Sequence, residues 1–304
     1  MTAPALAPGT RDDSARAPAA PGGARAALHG RSTGSRVAVA VVLAATLLWT
    51  LVPLVWMVLG SFKSQADVTS AVPRLVFAPT FENYRNLFTG ANDLTPYLWH
   101  SVVAAVVSAL LSVVVGTLAG YGLSRSVMRH KDRLSFWIIS TRMAPIAAVI
   151  LPLFLMFRVA GLIDTLPGLV LAYMTFNLPF AIWLMSAFFS EVPPSIEESA
   201  LVAGCTRWQA FRHVILPLSK AGLVTTFVLC LVFSWNDYAF ATVFAGPDSQ
   251  TLPIAASQLV TQTGIDWGQL TAIGTIVVLP MVVAGLAVRR WLVTGLTLGA
   301  VTGE

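Results

Sequence analysis

Charge is the scarcest property of this chain. Asp, Glu, Lys and Arg make up 11% of its 304 residues, whereas hydrophobic residues make up 56% and the mean hydropathy is +0.75. A soluble domain of this length carries much more charge on its surface. The composition therefore excludes a soluble globular domain and predicts an integral membrane protein.

Lysine and cysteine are also rare, and each scarcity excludes a class of site. None of Lys63, Lys131 and Lys220 follows a glycine, so the Gly-Lys-Ser/Thr of a phosphate-binding loop is missing. The two cysteines, Cys205 and Cys230, fall at different expected depths and are predicted to be free thiols. No Cys/His cluster has metal-ligand spacing. We expect the chain to bind no cofactor or metal of its own and to hydrolyse no ATP.

Long apolar runs are what the sequence has in abundance. Six of them can cross ~30 Å of hydrocarbon as helices, near 37–60, 98–124, 134–157, 166–189, 219–245 and 270–292. Residues 1–36 are rich in Ala, Pro, Gly, Ser and Arg without apolar periodicity, which predicts a disordered tail. The sequence thus predicts an all-α membrane protein with two parts, the tail at 1–36 and a six-helix transmembrane domain at 37–304.

The distribution of positive charge predicts the orientation of these helices. With the N-terminus in the cytoplasm, fourteen of the nineteen Lys and Arg residues fall in cytoplasmic segments, as the positive-inside rule requires. We therefore expect both termini to be cytoplasmic. The cluster Arg125, Arg129, Lys131 and Arg133 is predicted to lie on anionic lipid headgroups rather than on nucleic acid.

A polar segment at 193–218 interrupts the apolar pattern between the fourth and fifth runs. Ser195 with Glu198, and Thr206 with Gln209, each match the spacing of a capping box at a helix start. Gly204 stands between them and can adopt the positive φ that ends a helix. The pattern predicts two short helices joined by a turn, on the cytoplasmic side.

The two predicted helices differ in character. Ile196, Ala200 and Ala203 recur at helical spacing and give the first helix a narrow face that a partner protein could approach closely. Three bulkier residues on the second helix are predicted to pack back on the membrane domain: Trp208, Phe211 and Ile215. A solvated connector is the alternative interpretation, but a docking element explains the two faces better.

These residues resemble the EAA loop of binding-protein-dependent ABC transporter permeases, in the MalG-like branch of carbohydrate importers. The resemblance rests on Glu197-Glu198-Ser199-Ala200, Ala203-Gly204-Cys205 and Ile215-Leu216-Pro217, with further similarity at 81–84, 234–238 and 295–303. It departs from the family pattern at Ser199, Ala203 and Cys205. It implies a helix-turn-helix coupling loop at 193–218 that docks on an ATPase subunit through Glu197, Glu198, Ser199, Ala200, Gly204, Arg207 and Pro217.

The resemblance also implies the partner proteins of this chain and the source of energy for transport. These are two ATPase subunits that hold ATP and Mg²⁺, a second permease subunit, and an extracellular or periplasmic solute-binding protein that delivers a carbohydrate. The chain itself would form half of a pathway that works by alternating access in a bacterial inner membrane. An ion-coupled secondary carrier is the main alternative, although no repeat of spans is visible. A membrane scaffold without transport activity is a second alternative.

Polar residues inside the spans mark candidate positions for the substrate path, because they are costly in hydrocarbon. They are Arg142, Tyr173, Asn177, Trp235, Asn236 and Asp237. Asn177 and Asp237 could instead join helices or contact the partner permease, and Trp235 could stack on a sugar ring or serve only in packing. An ion pair between Arg142 and Asp237 is an option, although ideal helices separate the two residues by roughly 10–15 Å in depth. Span-interrupting prolines, at Pro53, Pro145, Pro152, Pro179 and Pro280, predict bends.

Overall fold

A computed structural model describes residues 33–89, 93–261 and 264–298. Most of the predicted tail therefore lies outside the described residues. The structure is built from helices, with a single two-stranded ribbon in its described part. The helices are α1 Thr33–Ser61, α2 Gln65–Val68, α3 Glu82–Phe88, α4 Thr95–Ser124, α5 Lys131–Ser140, α6 Ile146–Val159, α7 Leu166–Glu191, α8 Pro194–Val202, α9 Arg207–Ala210, α10 Leu216–Leu218, α11 Lys220–Trp235, α12 Ala239–Phe244, α13 Leu252–Gln258 and α14 Trp267–Leu298.

Four further elements complete the described part of the chain. A 3₁₀ turn at Thr141–Met143 follows α5, and a π-helical turn at Phe211–Ile215 follows α9. The strands β1 Val260–Thr261 and β2 Gly264–Ile265 pair antiparallel. The chain divides into two compact units, one ending at Val55 within α1 and the other starting at Trp56. The contacts described below all lie in the second unit.

Four helices have the length and hydropathy of membrane spans, namely α1, α4, α7 and α14. The number rises to six if each of two bent pairs counts as one span. One pair joins Lys131–Met143 to Ile146–Val159 with an 88° bend, and the other joins Arg207–Leu218 to Lys220–Trp235 with a 73° bend. The all-α membrane fold is confirmed, and a count of six agrees with the bent pairs.

The bend predicted at Pro145 in the third span is confirmed, whereas the predicted length of the fifth span was wrong. The run at 134–157 is broken at Ala144 and Pro145, because proline removes a backbone donor and excludes its predecessor from helical geometry. The run predicted at 219–245 ends as a helix at Trp235, and a short separate helix, α12, follows. Residues 236–238 therefore connect two helices and do not lie inside one.

Helices α4 and α7 form the centre of the second unit. A Cβ added at Gly116 would lie 2.6 Å from Cβ of Ala181, and one at Gly120 would lie 2.9 Å from the backbone nitrogen of Ser186. Only glycine permits this approach of two helix backbones. Helix α11 joins the pair through the buried residues Ala109, Ala181 and Cys230. Three of the six candidate path residues lie on these helices, namely Tyr173, Asn177 and Trp235, and the polar loop at 193–218 connects α7 to α11.

The other end of the bundle is held by polar contacts. The Asn83 amide donates to the carbonyls of Ser61 and Lys63 at 2.9 and 2.8 Å. The Ser101 hydroxyl accepts from the Leu252 N–H at 2.7 Å. The Ser64 hydroxyl and the Arg74 guanidinium hold the pKa of Asp67 below its usual value. Ser101 thus joins the first part of α4 to the start of α13.

Candidate functional sites: the loop at 193–218 and the cavity at Arg142

The turn of the loop at 193–218 has the predicted form. Gly204 has φ +91°, its N–H donates to the Leu201 carbonyl at 3.0 Å, and the Cys205 N–H donates to the Ala200 carbonyl at 3.0 Å. This is the Schellman arrangement, which satisfies the last carbonyls of a helix with a left-handed residue. A Cβ at Gly204 would meet nothing within 4 Å. The need for glycine here is therefore one of backbone conformation and not of space.

Only the second of the two predicted capping boxes forms. The Gln209 N–H donates to the Thr206 hydroxyl at 3.3 Å, and the Thr206 N–H donates to the Gln209 side chain at 2.7 Å. The box predicted at Ser195 and Glu198 was wrong, because α8 begins at Pro194 and Ser195 is already helical. Pro194 occupies the first turn, where its missing N–H has no helical partner to lose.

The adjacent glutamates of α8 differ in burial. Glu198 is exposed, whereas Glu197 is 8% exposed. Glu197 accepts from the Tyr121 hydroxyl at 2.5 Å and from Nε of Arg125 at 2.7 Å. Nη2 of Arg125 also donates to the Val192 carbonyl at 3.0 Å. These contacts, which we call the Tyr121–Arg125–Glu197 clamp, tie α8 to the end of α4.

The clamp contradicts the prediction for Arg125, and it separates the role of Glu197 from that of Glu198. Arg125 was predicted to lie on lipid headgroups, but it is engaged with the carboxylate of Glu197 and is only 16% exposed in its side chain. Glu197 was grouped with Glu198 as a residue that faces an ATPase. The structure leaves only the second carboxylate at the surface.

The outer surface of the loop mixes charge with exposed apolar side chains. Val202 is 91% exposed, Trp208 is 58% exposed and Ile196 is 37% exposed. Glu198, Ser199, Arg207 and Pro217 are exposed as well, and Ala200 is half-buried. Apolar side chains clustered on an exposed polar loop are typical of a protein-binding surface.

The inner surface of the loop packs on the bundle. Phe211 and Ile215 are buried with Met185 and Phe189 of α7, as predicted. Trp208 was predicted to join them, but it remains largely exposed, with its ring 5.4 Å from that of Phe211. The loop is therefore anchored through its π-helical turn and its clamp, and its outer surface is left open.

A separate cavity of 610 Å³ lies where the broken third span faces α7 and α12. Arg142, Asp237, Thr141 and Thr175 supply its polar groups, and Phe176, Phe233 and Phe240 supply aromatic rings. The Arg142 guanidinium lies 4.0 Å from the Phe233 ring centre and 4.7 Å from that of Phe180. A cation held between aromatic faces in this way is stabilised without an acidic partner.

Arg142 and Asp237 line the same cavity but do not form an ion pair. Among the described residues the ion pairs are Arg74–Asp67 and Arg125–Glu197. Asp237 instead accepts from the Ala241 N–H at 3.0 Å, one of the N–H groups in the first turn of α12. The break after α5 and the end of α11 at Trp235 bring both residues to one cavity, which ideal helices would not do.

The remaining candidate path residues are mostly engaged in packing. Asn177 is fully buried and donates to the Ser234 hydroxyl at 2.7 Å, which makes it an interhelical contact. Trp235 is 5% exposed and donates from its indole to the Val277 carbonyl at 3.0 Å, so its ring serves in packing. Tyr173 is buried near Asp237, and Asn236 is exposed with its amide on the Val232 carbonyl.

Sequence comparison now identifies the family. The family described as "Binding-protein-dependent transport system inner membrane component" matches residues 112–297, more than half of the chain. The chain belongs to this family. It is thus a multi-pass membrane permease component of a binding-protein-dependent transport system, and the family is one of transport permeases and not of ATPases.

Named relatives of this permease cover almost its whole transmembrane part. It is 36% identical to the trehalose transport system permease protein SugB of Mycobacterium tuberculosis, with 84% of this chain and 93% of that protein covered. It is 34% identical to the diacetylchitobiose uptake system permease protein DasC of Streptomyces coelicolor, with 83% and 91% covered. A crystal structure of a bacterial ABC transporter for alginate import matches with a TM-score of 0.68, 24% identity, and 86% and 98% coverage. That last likeness shows the shared fold.

Sequence reasoning missed one loop contact of this permease. Asp164, at φ +57°, accepts from the N–H groups of Gly246 and Asp248 and from the Ser249 hydroxyl, at 2.8, 3.1 and 2.8 Å. It joins the loop before α7 to the loop after α12. An aspartate in a short loop before Thr165 gives no sign of partners 80 residues away.

Proposed function

We propose that the chain is one of two different permease subunits in an ATP-driven importer of a sugar, oligosaccharide or polyol. The family description supports dependence on a binding protein, and the names of relatives for trehalose and diacetylchitobiose support the carbohydrate class. The importer would contain two ATPase subunits that hold ATP and Mg²⁺, and an external solute-binding protein. Both termini would be cytoplasmic, on the side of the loop at 193–218.

One observation carries the ATPase part of this proposal. The loop holds Glu198, Val202 and Trp208 outward while the clamp and the π-helical turn fix its inner side to α4 and α7. When a bound subunit displaces a surface loop that is attached to two long helices, the loop can transmit this displacement to those helices. Glu198, Ser199, Arg207 and the apolar side chains would contact the ATPase, and Glu197 would hold the loop in place.

The cavity at Arg142 supports a contact between this subunit and its cargo. Sugars are bound by planar polar side chains that pair with hydroxyls and by aromatic rings that cover C–H faces, and the cavity offers both. Arg142 and Asp237 would hydrogen-bond to hydroxyls, with Thr141 and Thr175 beside them. Asn177 would serve the path indirectly, because it holds α7 against α11 at Ser234.

Reconstitution tests the proposal directly. The chain should copurify with an ATPase subunit, and uptake of a sugar into proteoliposomes should require ATP, the binding protein and the second permease. Glu198→Ala should reduce uptake at equal expression, whereas Glu191→Ala, an exposed carboxylate at the end of α7, is a matched control. Sodium- or proton-driven uptake by the lone chain would replace the importer with an ion-coupled carrier.

A further inference from the structure

A second, smaller cavity lies beside the loop at 193–218 and belongs to neither site described above. It has a volume of 200 Å³ and lies between the end of α4, the start of α5 and the last turns of α7. At about 30 Å³ per water molecule it has room for about six waters, and hence for one small polar group. Its polar lining residues are Lys131, Asp132 and the serines Ser124, Ser135, Ser186 and Ser190.

The charges in this cavity are balanced. Lys131 is half-buried and supplies the cation, and Asp132 supplies the anion from the next position of the same helix turn. Ser186 is 9% exposed and also lines the cavity. The cavity therefore suits a group that carries one positive and one negative charge.

The surroundings of the cavity have the composition of a membrane interface. Trp183 lines it and is 41% exposed, and Phe136 and Trp137 on α5 are 68% and 66% exposed. Tryptophan with neighbouring basic residues marks the level of lipid headgroups, and Arg129 and Arg133 flank Lys131 here. A ligand with an apolar tail could enter the cavity with its head while its tail lies along the exposed aromatic side chains.

We propose that this cavity binds the headgroup of a phosphatidylethanolamine-type lipid. The phosphodiester accepts from the Lys131 ammonium and the Ser186 hydroxyl, and the primary ammonium donates to the Asp132 carboxylate. Phosphatidylglycerol lacks the cation that Asp132 requires, and the quaternary ammonium of phosphatidylcholine has no N–H to donate. The site ends at Ser190, two residues before the carbonyl of Val192 that Arg125 holds. A bound headgroup would thus stabilise the residues at 190–192, where α7 leads into the loop at 193–218.

Native mass spectrometry of the full-length protein with defined lipids tests the site. Phosphatidylethanolamine should bind more tightly than phosphatidylglycerol and phosphatidylcholine. Lys131→Gln and Asp132→Asn should each weaken its binding about tenfold, the effect of one lost charge-assisted hydrogen bond. Arg133→Gln is the matched control, because this neighbouring cation does not line the cavity and should leave the affinity unchanged.

Four outcomes would overturn the proposal. If phosphatidylcholine bound as tightly as phosphatidylethanolamine, the ammonium N–H groups would make no contribution to binding. If phosphatidylglycerol bound more tightly than phosphatidylethanolamine, the site would select only for negative charge. A loss in Arg133→Gln equal to that in Lys131→Gln would show a diffuse basic surface. Binding of soluble phosphoethanolamine as tight as that of the lipid would assign the cavity to a soluble ligand.

Discussion

Glu197 and Glu198 allow a paired test, because they are neighbours on one helix with opposite surroundings. Glu197→Gln keeps the size of the side chain but removes the charge that Arg125 and Tyr121 bind at 2.7 and 2.5 Å. It leaves the Arg125 side chain, 16% exposed, without a carboxylate. Glu198→Gln changes an exposed carboxylate with no ion pair among the described residues. The first substitution should loosen the loop and the second should not.

The expected magnitude follows from the burial of the clamp. Breaking a fully buried ion pair costs about 3–5 kcal/mol, and a hydrogen bond to a charged group is worth about 1.5–3 kcal/mol. Because the glutamine can still accept one hydrogen bond, we expect Glu197→Gln to lower the free energy of opening of the loop by about 1.5–3 kcal/mol. Glu198→Gln should change it by less than about 0.5 kcal/mol.

Native-state hydrogen exchange of the purified permease measures this difference locally. At about 1.4 kcal/mol for each factor of ten, the amides of α8 should exchange about 10- to 150-fold faster in Glu197→Gln and at the original rate in Glu198→Gln. Arg125→Met combined with Glu197→Met should restore most of the protection, because an apolar pair leaves no buried charge unpaired. Equal exchange in both glutamine variants would refute the clamp as the anchor of the loop.

Three other predictions concern the turn, the bundle and the thiols. Gly204→Val should raise the proteolytic sensitivity of the loop, because a β-branched residue resists φ +91°, whereas Gly204→Asn should be milder; equal effects would show that the conformation is not the constraint. Asn177→Ala should destabilise the permease in thermal unfolding by about 1–3 kcal/mol through loss of the buried bond to Ser234, and a change below 0.5 kcal/mol would contradict this role. A bulky maleimide should label Cys205, which is half-buried, but not Cys230, which is buried. Bound ATPase subunits should slow the labelling of Cys205. Rapid labelling in their presence would place Cys205 outside the proposed interface.

The parts of the loop that depend on local sequence could be predicted, and those that depend on distant residues could not. The box at Thr206 and Gln209 and the left-handed Gly204 are set by residues within one turn, so spacing was sufficient. The inward direction of Glu197 depends on Arg125, 72 residues earlier in the chain. Two adjacent glutamates give no local sign of which one is buried.

The candidate cavity was hidden for a different reason. Hydropathy along 134–157 and 219–245 is continuous, so hydropathy alone shows no break in either run. The chain bends at Pro145, and helix α11 ends at Trp235; these two breaks bring Arg142 and Asp237 to the same cavity. Hydropathy averaged along an apolar run cannot detect a break in the helix within that run. Pro145 signalled the break in 134–157, but no proline signalled the break in 219–245.

Helix α4 joins the loop at 193–218 to the polar contacts in the middle of the bundle. It carries Tyr121 and Arg125 of the clamp at one end, and further along it Ser108 hydrogen-bonds to Ser234 at 3.0 Å, the same hydroxyl that binds Asn177. Because Gly116 brings the backbone of α4 into contact with α7, the two helices cannot shift independently without separating. We therefore expect a displacement of the loop to move α4 and α7 together. Ser234 is three residues before Asp237, so this movement reaches the wall of the Arg142 cavity through α11.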